Sequence, residues 1–196
     1  TKTYNGAIAV DTTKRPLATV LEAAERQGLA TGLVATSRIT HATPAAFSVH
    51  FEDRWMENQI AASQITKDIE VLLGGGRRHF LPQNADGSDR EDDRNLIDAA
   101  RSNGYQYVSD RDELMDVTTG PVLGLFSTSH MSYEIDRDPS AQPSLAEMTQ
   151  KALDIVSQDE DGFFLMVEGS RIDHAGHEND AAAHLHDILA FNKAVE

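Results

Sequence analysis

Five short apolar runs, separated by stretches long enough to cross a sheet, limit what this chain can fold into. They are residues 31–35 (TGLVA), 69–73 (IEVLL), 105–108 (YQYV), 121–126 (PVLGLF) and 162–167 (GFFLMV). Runs that are apolar at successive positions are buried on both faces, which in a sheet is the habit of parallel strands. Parallel neighbours need long crossovers, and the intervening lengths supply them. The pattern predicts an α/β fold of three layers, α/β/α, around a mainly parallel central sheet. No repeat or domain boundary interrupts it, so residues 1–196 read as a single domain.

The predicted helices cover residues 16–27, 44–65 (as one helix or two), 95–101, 144–157 and 181–196. Pro16 suits a first helical turn, and Gly28 lies past the end of that helix. Ser144 followed by Glu147 is a capping box. Residues 83–94 (QNADGSDREDDR) are polar and acidic and read as a surface loop. The chain opens at Thr1 without an initiator Met and stops at Glu196 inside a helical pattern, so the expectation is a sheet incomplete at both ends.

The net charge of −15 argues against nucleic acid as a partner, because a phosphate backbone needs a basic surface. The same charge repels any small anionic substrate unless bound cations reverse the field locally. There are no cysteines, which excludes disulfides, thiolate metal sites and cysteine nucleophiles while leaving the compartment open. No apolar run approaches the ~20 residues needed to span a membrane, and no signal peptide is read.

Chemistry concentrates at residues 168–180 (EGSRIDHAGHEND), directly after the run GFFLMV. Ligand sites in parallel sheets lie beyond the carboxyl ends of strands, which places Glu168 well. Asp173 and His177 are spaced to share one face of a helical turn. A carboxylate with an imidazole suits zinc, whereas Glu168 is a hard oxygen ligand better matched to magnesium. On spacing alone, a solvated acidic turn with incidental histidines accounts for these residues equally well. Arg54, in HFEDRWMENQ, reads on its own as a surface arginine paired with Glu52, Asp53 or Glu57.

The string VEGSRIDHAGHEND resembles the metal-binding signature of the alkaline phosphatases over its whole length. Residues 35–46 (ATSRITHATPAA) resemble the family's magnesium-side segment, residues 72–80 (LLGGGRRHF) its glycine-rich turn, and TKTYNGAIAVD the stretch after its nucleophile helix. The resemblance implies Zn2+ (two per full-length subunit) and one Mg2+. It implies that Asp173 and His177 ligate the first zinc, and that Glu168 and Thr43 bind magnesium with His41 acting through a water. Arg54 would clamp phosphate, and His174 would stand beside it. His41 and His174 are similar to the animal and fungal pattern, and an imidazole at position 41 makes zinc a competitor for the magnesium site.

The family hydrolyses phosphate monoesters with broad specificity through a phosphoserine, releasing inorganic phosphate. Its members are mostly homodimers found in the secretory pathway, the vacuole or the periplasm. The family's serine and its second-zinc ligands fall outside residues 1–196, so this chain alone is expected to be inactive. A phosphodiesterase or sulfatase of the same superfamily, a degenerate pseudo-phosphatase and an acidic interaction domain are the competing readings.

Overall fold

The computed structural model describes residues 2–196. Five strands, β1 (Ala30–Arg38), β2 (Val71–Gly75), β3 (Gln106–Val108), β4 (Val122–Leu125) and β5 (Phe163–Glu168), form one sheet in the order β3-β4-β2-β1-β5. All four pairings are parallel, and each of the five apolar runs supplies one strand. Among the described residues eight α-helices accompany them: α1 (Val20–Glu25), α2 (Ala42–Ser48), α3 (Glu57–Gln64), α4 (Leu96–Ser102), α5 (Arg111–Asp116), α6 (Leu145–Val156), α7 (Arg171–Glu178) and α8 (Ala181–Val195).

Alternation along the central strands divides the core in two. Leu33, Leu72, Leu123 and Leu125 join Leu21 of α1, Ala61 of α3 and Leu96 of α4 on one side. Val34, Val71, Leu73 and Val122 face the other way, against Leu114 of α5 and Met148, Ala152 and Ile155 of α6. Residues of both sets are buried, so the sheet is the middle of three layers.

Some helix limits differ from those read from the sequence. α1 starts at Val20 because Thr19 caps it: the Thr19 hydroxyl accepts from the Glu22 N–H, and the Glu22 carboxylate accepts from the Thr19 N–H. Pro16 lies upstream, in an antiparallel bridge with Val10. Residues 44–65 hold most of α2 and all of α3, with an irregular break between them. α5 was not expected, since RDELMD buries only Leu114 and shows no apolar stripe; Asp110 caps it. The 83–94 loop is anchored by Arg90, which is 4% exposed and donates to Asp92 and to the carbonyls of Asn58 and His79.

Chain order places the crevice. From β1 the chain builds β2 on one side, and β5 later arrives on the other. The connections leaving β1 and β5 therefore diverge at their carboxyl ends, which is where open parallel sheets receive ligands.

Candidate active site at the carboxyl ends of the strands

Three connections meet at that crevice. Arg38 ends β1, His41 is the N-cap residue of α2, and Thr43 lies in the helix's first turn. Glu168 ends β5, and α7 follows with Asp173, His174 and His177. The loop after β4 contributes His130, and glycines at the end of β2 are what admit it. A Cβ at Gly75 would stand 2.1 Å from the Ser129 carbonyl oxygen, and Gly76 has φ of +96°. The Gly76 N–H donates to the Ser129 carbonyl at 2.7 Å, and the Met131 N–H to Thr36 at 3.0 Å, so the loop lies across the strand ends.

His41, His130 and His174 form a tight cluster, each offering one ring nitrogen within 4.8 Å of the others. The ring centres of His130 and His174 are 4.3 Å apart, and those of His41 and His174 5.4 Å. Each imidazole faces a guanidinium: Arg54 Nη2 is 3.1 Å from His41 Nε2, Arg171 Nη1 3.0 Å from His174 Nδ1, and Arg38 Nη1 2.7 Å from His130 Nε2. Burial, reinforced by those cations, pushes the His41 ring down to about 4 and the His130 ring to about 2. The His174 ring is lowered for the same reasons, with burial first and then Arg171. Burial and the facing guanidiniums thus disfavour the protonated form of all three rings.

Glu168, Asp173 and His177 line a second feature, a cleft of about 580 Å³ beside the cluster, shared with His184 and Phe191. Asp173 Oδ2 lies 3.4 Å from His177 Nε2, and the two side chains are 75% and 78% exposed. Apart from that mutual contact, neither has a side-chain hydrogen-bond partner among the described residues. Their lone pairs are free, and a carboxylate with an imidazole suits zinc. Glu168 accepts from the Ser170 hydroxyl at 2.7 Å through one oxygen, leaving the other for a hard cation. The structure thus gathers Glu168, Asp173 and His177 in one cleft and Arg54, His41 and His174 in the adjoining cluster; no side-chain hydrogen bond ties Thr43 to either set among the described residues.

The surface reading of Arg54 finds no support in the geometry. Among the described residues no carboxylate lies within salt-bridge distance of it, and Glu57 is committed elsewhere. Glu57 is 6% exposed and accepts from Arg38 Nε and Nη2 at 2.8 and 2.7 Å and from the Thr40 hydroxyl at 2.6 Å. Sequence reasoning missed His130, Arg38 and Glu57. The only written signal was Gly75-Gly76, a pair that lets another backbone approach closely.

The chain matches the alkaline phosphatase family description over residues 1–196. It is 48% identical to the repressible alkaline phosphatase of Saccharomyces cerevisiae, covering 100% of this chain and 39% of that protein. It is 46% identical to alkaline phosphatase 3 of Bacillus subtilis, covering 98% and 41% of the two chains. Among solved structures, the Thermus thermophilus alkaline phosphatase superposes with a TM-score of 0.92 at 41% identity, covering 99% of this chain and 40% of that one. A histidine-to-glutamate variant of the TAB5 alkaline phosphatase, with Mg bound in its M3 site, superposes at 0.84 with 29% identity over 98% of this chain and 54% of that one. The chain spans about two fifths of the length of the curated relatives it matches.

Proposed function

The chain belongs to the alkaline phosphatase family, and we propose that it carries the magnesium side, part of the first zinc site and the phosphate clamp of a broad-specificity phosphomonoester hydrolase. The observation that carries this reading is the convergence of Glu168, Asp173 and His177 on one cleft at the carboxyl end of β5, with donor atoms left free. Asp173 and His177 would hold zinc, and Glu168 with Thr43 would hold magnesium, His41 standing by through a water. When bound, such cations lower the pKa of an attacking hydroxyl and take up charge on the leaving oxygen. They also resolve the conflict between a charge of −15 and an anionic substrate.

The chain's own part is positional. Arg54 offers a planar fork that holds two phosphoryl oxygens, fixing the phosphorus while leaving the alcohol unread. His174, on α7 between the zinc pair and Arg54's partner His41, flanks the phosphoryl group. The serine nucleophile and its phosphoserine, the remaining ligands of two zincs, and homodimer assembly belong to the rest of a protein of the relatives' length. A secretory, vacuolar or periplasmic setting and the absence of a nucleic-acid partner complete the proposal, the former on resemblance and the latter on charge.

Hydrolysis of p-nitrophenyl phosphate tests it. A polypeptide extended to the relatives' length should turn over the ester with zinc and magnesium, and stop on chelation. His177→Ala and Arg54→Ala should each reduce kcat/KM at least ~100-fold. Residues 1–196 alone should give no turnover. Zinc-independent turnover, or preference for a diester over a monoester, would defeat the proposal.

A further inference from the structure

Trp55, the chain's only tryptophan, follows Arg54 directly and is 72% exposed. A single exposed apolar side chain is ordinary on a protein surface and by itself implies nothing. Trp55 differs in how firmly it is placed. Its backbone N–H donates to Asp53 Oδ1 at 3.0 Å, and the Met56 N–H to the Asp53 carbonyl at 3.2 Å. The Arg54 N–H donates to the Gly6 carbonyl at 2.8 Å, and the Tyr4 hydroxyl to the Glu52 carbonyl at 2.8 Å. The turn over residues 52–56 is thus pinned from within and from the N-terminal segment, and it presents its side chains from a fixed backbone.

The neighbouring arginine fixes what the ring faces. The Arg54 guanidinium lies over the Trp55 ring, 5.6 Å from its centre, and its Nη2 is 3.1 Å from His41 Nε2. Arg54 therefore stands between the histidine cluster on its inner side and the exposed indole on its solvent side. An ester whose phosphoryl oxygens are held by that guanidinium cannot run its alcohol inward, where the rings of His41, His130 and His174 pack with centres 4.3 to 5.4 Å apart. The alcohol leaves outward, past Trp55. An indole is large, rigid and flat, so it offers contact area to another flat ring at little cost in conformational freedom.

We propose that Trp55 is a specificity residue, whose indole stacks on the organic group of the ester and biases hydrolysis toward monoesters of alcohols that carry a flat aromatic ring. It touches the part of the substrate that Arg54 leaves unread and takes no part in making or breaking bonds. Many esters are therefore accepted and flat ones preferred. The inference rests on the phosphatase reading and deepens it by naming a substrate class.

The experiment uses the polypeptide extended to the relatives' length, with zinc and magnesium, and two esters that share a primary alkoxide leaving group, benzyl phosphate and ethyl phosphate. Trp55→Ala should lower the ratio of kcat/KM for benzyl over ethyl phosphate about threefold to tenfold, the change carried by KM rather than kcat. Trp55→Phe should keep most of the preference and Trp55→Leu little of it, which separates stacking from bulk. The indole's own emission, taken as the difference between wild type and Trp55→Phe, is a second readout. Benzylphosphonate, which is not hydrolysed, should quench it along the same curve on which it inhibits, and ethylphosphonate should not. Turnover with an unaltered benzyl-to-ethyl ratio in Trp55→Ala would overturn the proposal and leave the phosphatase reading standing. So would an emission that ignores benzylphosphonate at inhibiting concentrations, as it must if the rest of the polypeptide or a second copy covers the ring. Absence of turnover with either ester would remove that reading, and this inference with it.

Discussion

Arg38 and Glu57 form a buried, bidentate ion pair, with side chains only 12% and 7% exposed, that ties the end of β1 to the first turn of α3. The pair also aims Arg38's remaining nitrogen at His130. Removing one partner of a buried pair leaves an uncompensated charge, which costs more than the pair contributed. Glu57→Gln should therefore destabilise the fold by on the order of 3 kcal/mol, read as a lowered urea midpoint at unchanged slope. A loss under about 0.5 kcal/mol would mean the pair is solvated.

Gly75 is the steric condition for His130's place in the site. Gly75→Ala drives a methyl into the Ser129 carbonyl, where only 2.1 Å is available, and the loop after β4 must lift. The expected cost is about 1–3 kcal/mol, together with a changed environment for the His130 ring, checked by its NMR shifts. Unchanged His130 resonances in a folded variant would contradict this account of the loop.

Helix capping gives a smaller, cleaner effect. The Ser144 hydroxyl accepts from the Glu147 N–H, while the Glu147 carboxylate accepts from the Ser144 N–H. Ser144→Ala should cost about 1 kcal/mol in urea denaturation, and Ser144→Gly less.

Acid should weaken the α1 region through Glu22. Burial opposes its ionisation, but hydrogen bonds from His50 at 2.8 Å and from the Thr19 N–H outweigh it and hold the carboxyl below its ordinary 4.5. A carboxyl with a lowered folded-state pKa binds fewer protons folded than unfolded. Its contribution is thus present above 4.5 and disappears as pH falls through the folded value. Stability measured from about pH 5 down to about pH 3 should fall more steeply in the wild type than in Glu22→Gln.

Much of this fold was legible because its strands are continuous apolar runs. IEVLL leads into the fully buried strand β2, whereas GFFLMV, though equally apolar, forms the edge strand β5, where Phe163 is exposed and only Met166 is buried. The Ser144–Glu147 box fixed a helix start from two residues, whereas Pro16 misled because the nearer Thr19–Glu22 box outweighs a proline's preset φ. The cleft residues were legible because Glu168 ends one strand and Asp173 and His177 share the helix that follows it. His130 was not. It sits in an irregular stretch, STSHMS, with no periodicity, and reaches His41 only because β4 pairs with β2 and Gly75 lets the loop fold over. Contacts made by sheet order and backbone approach leave no spacing to read.

A crystal structure of the protein grown with zinc, magnesium and phosphate, with anomalous data at the zinc edge, measures the central claim directly. A zinc peak is expected between the Asp173 carboxylate and the His177 imidazole, and phosphate density against Arg54. A zinc peak inside the His41–His130–His174 triangle, with Asp173 and His177 left to solvent, would contradict it.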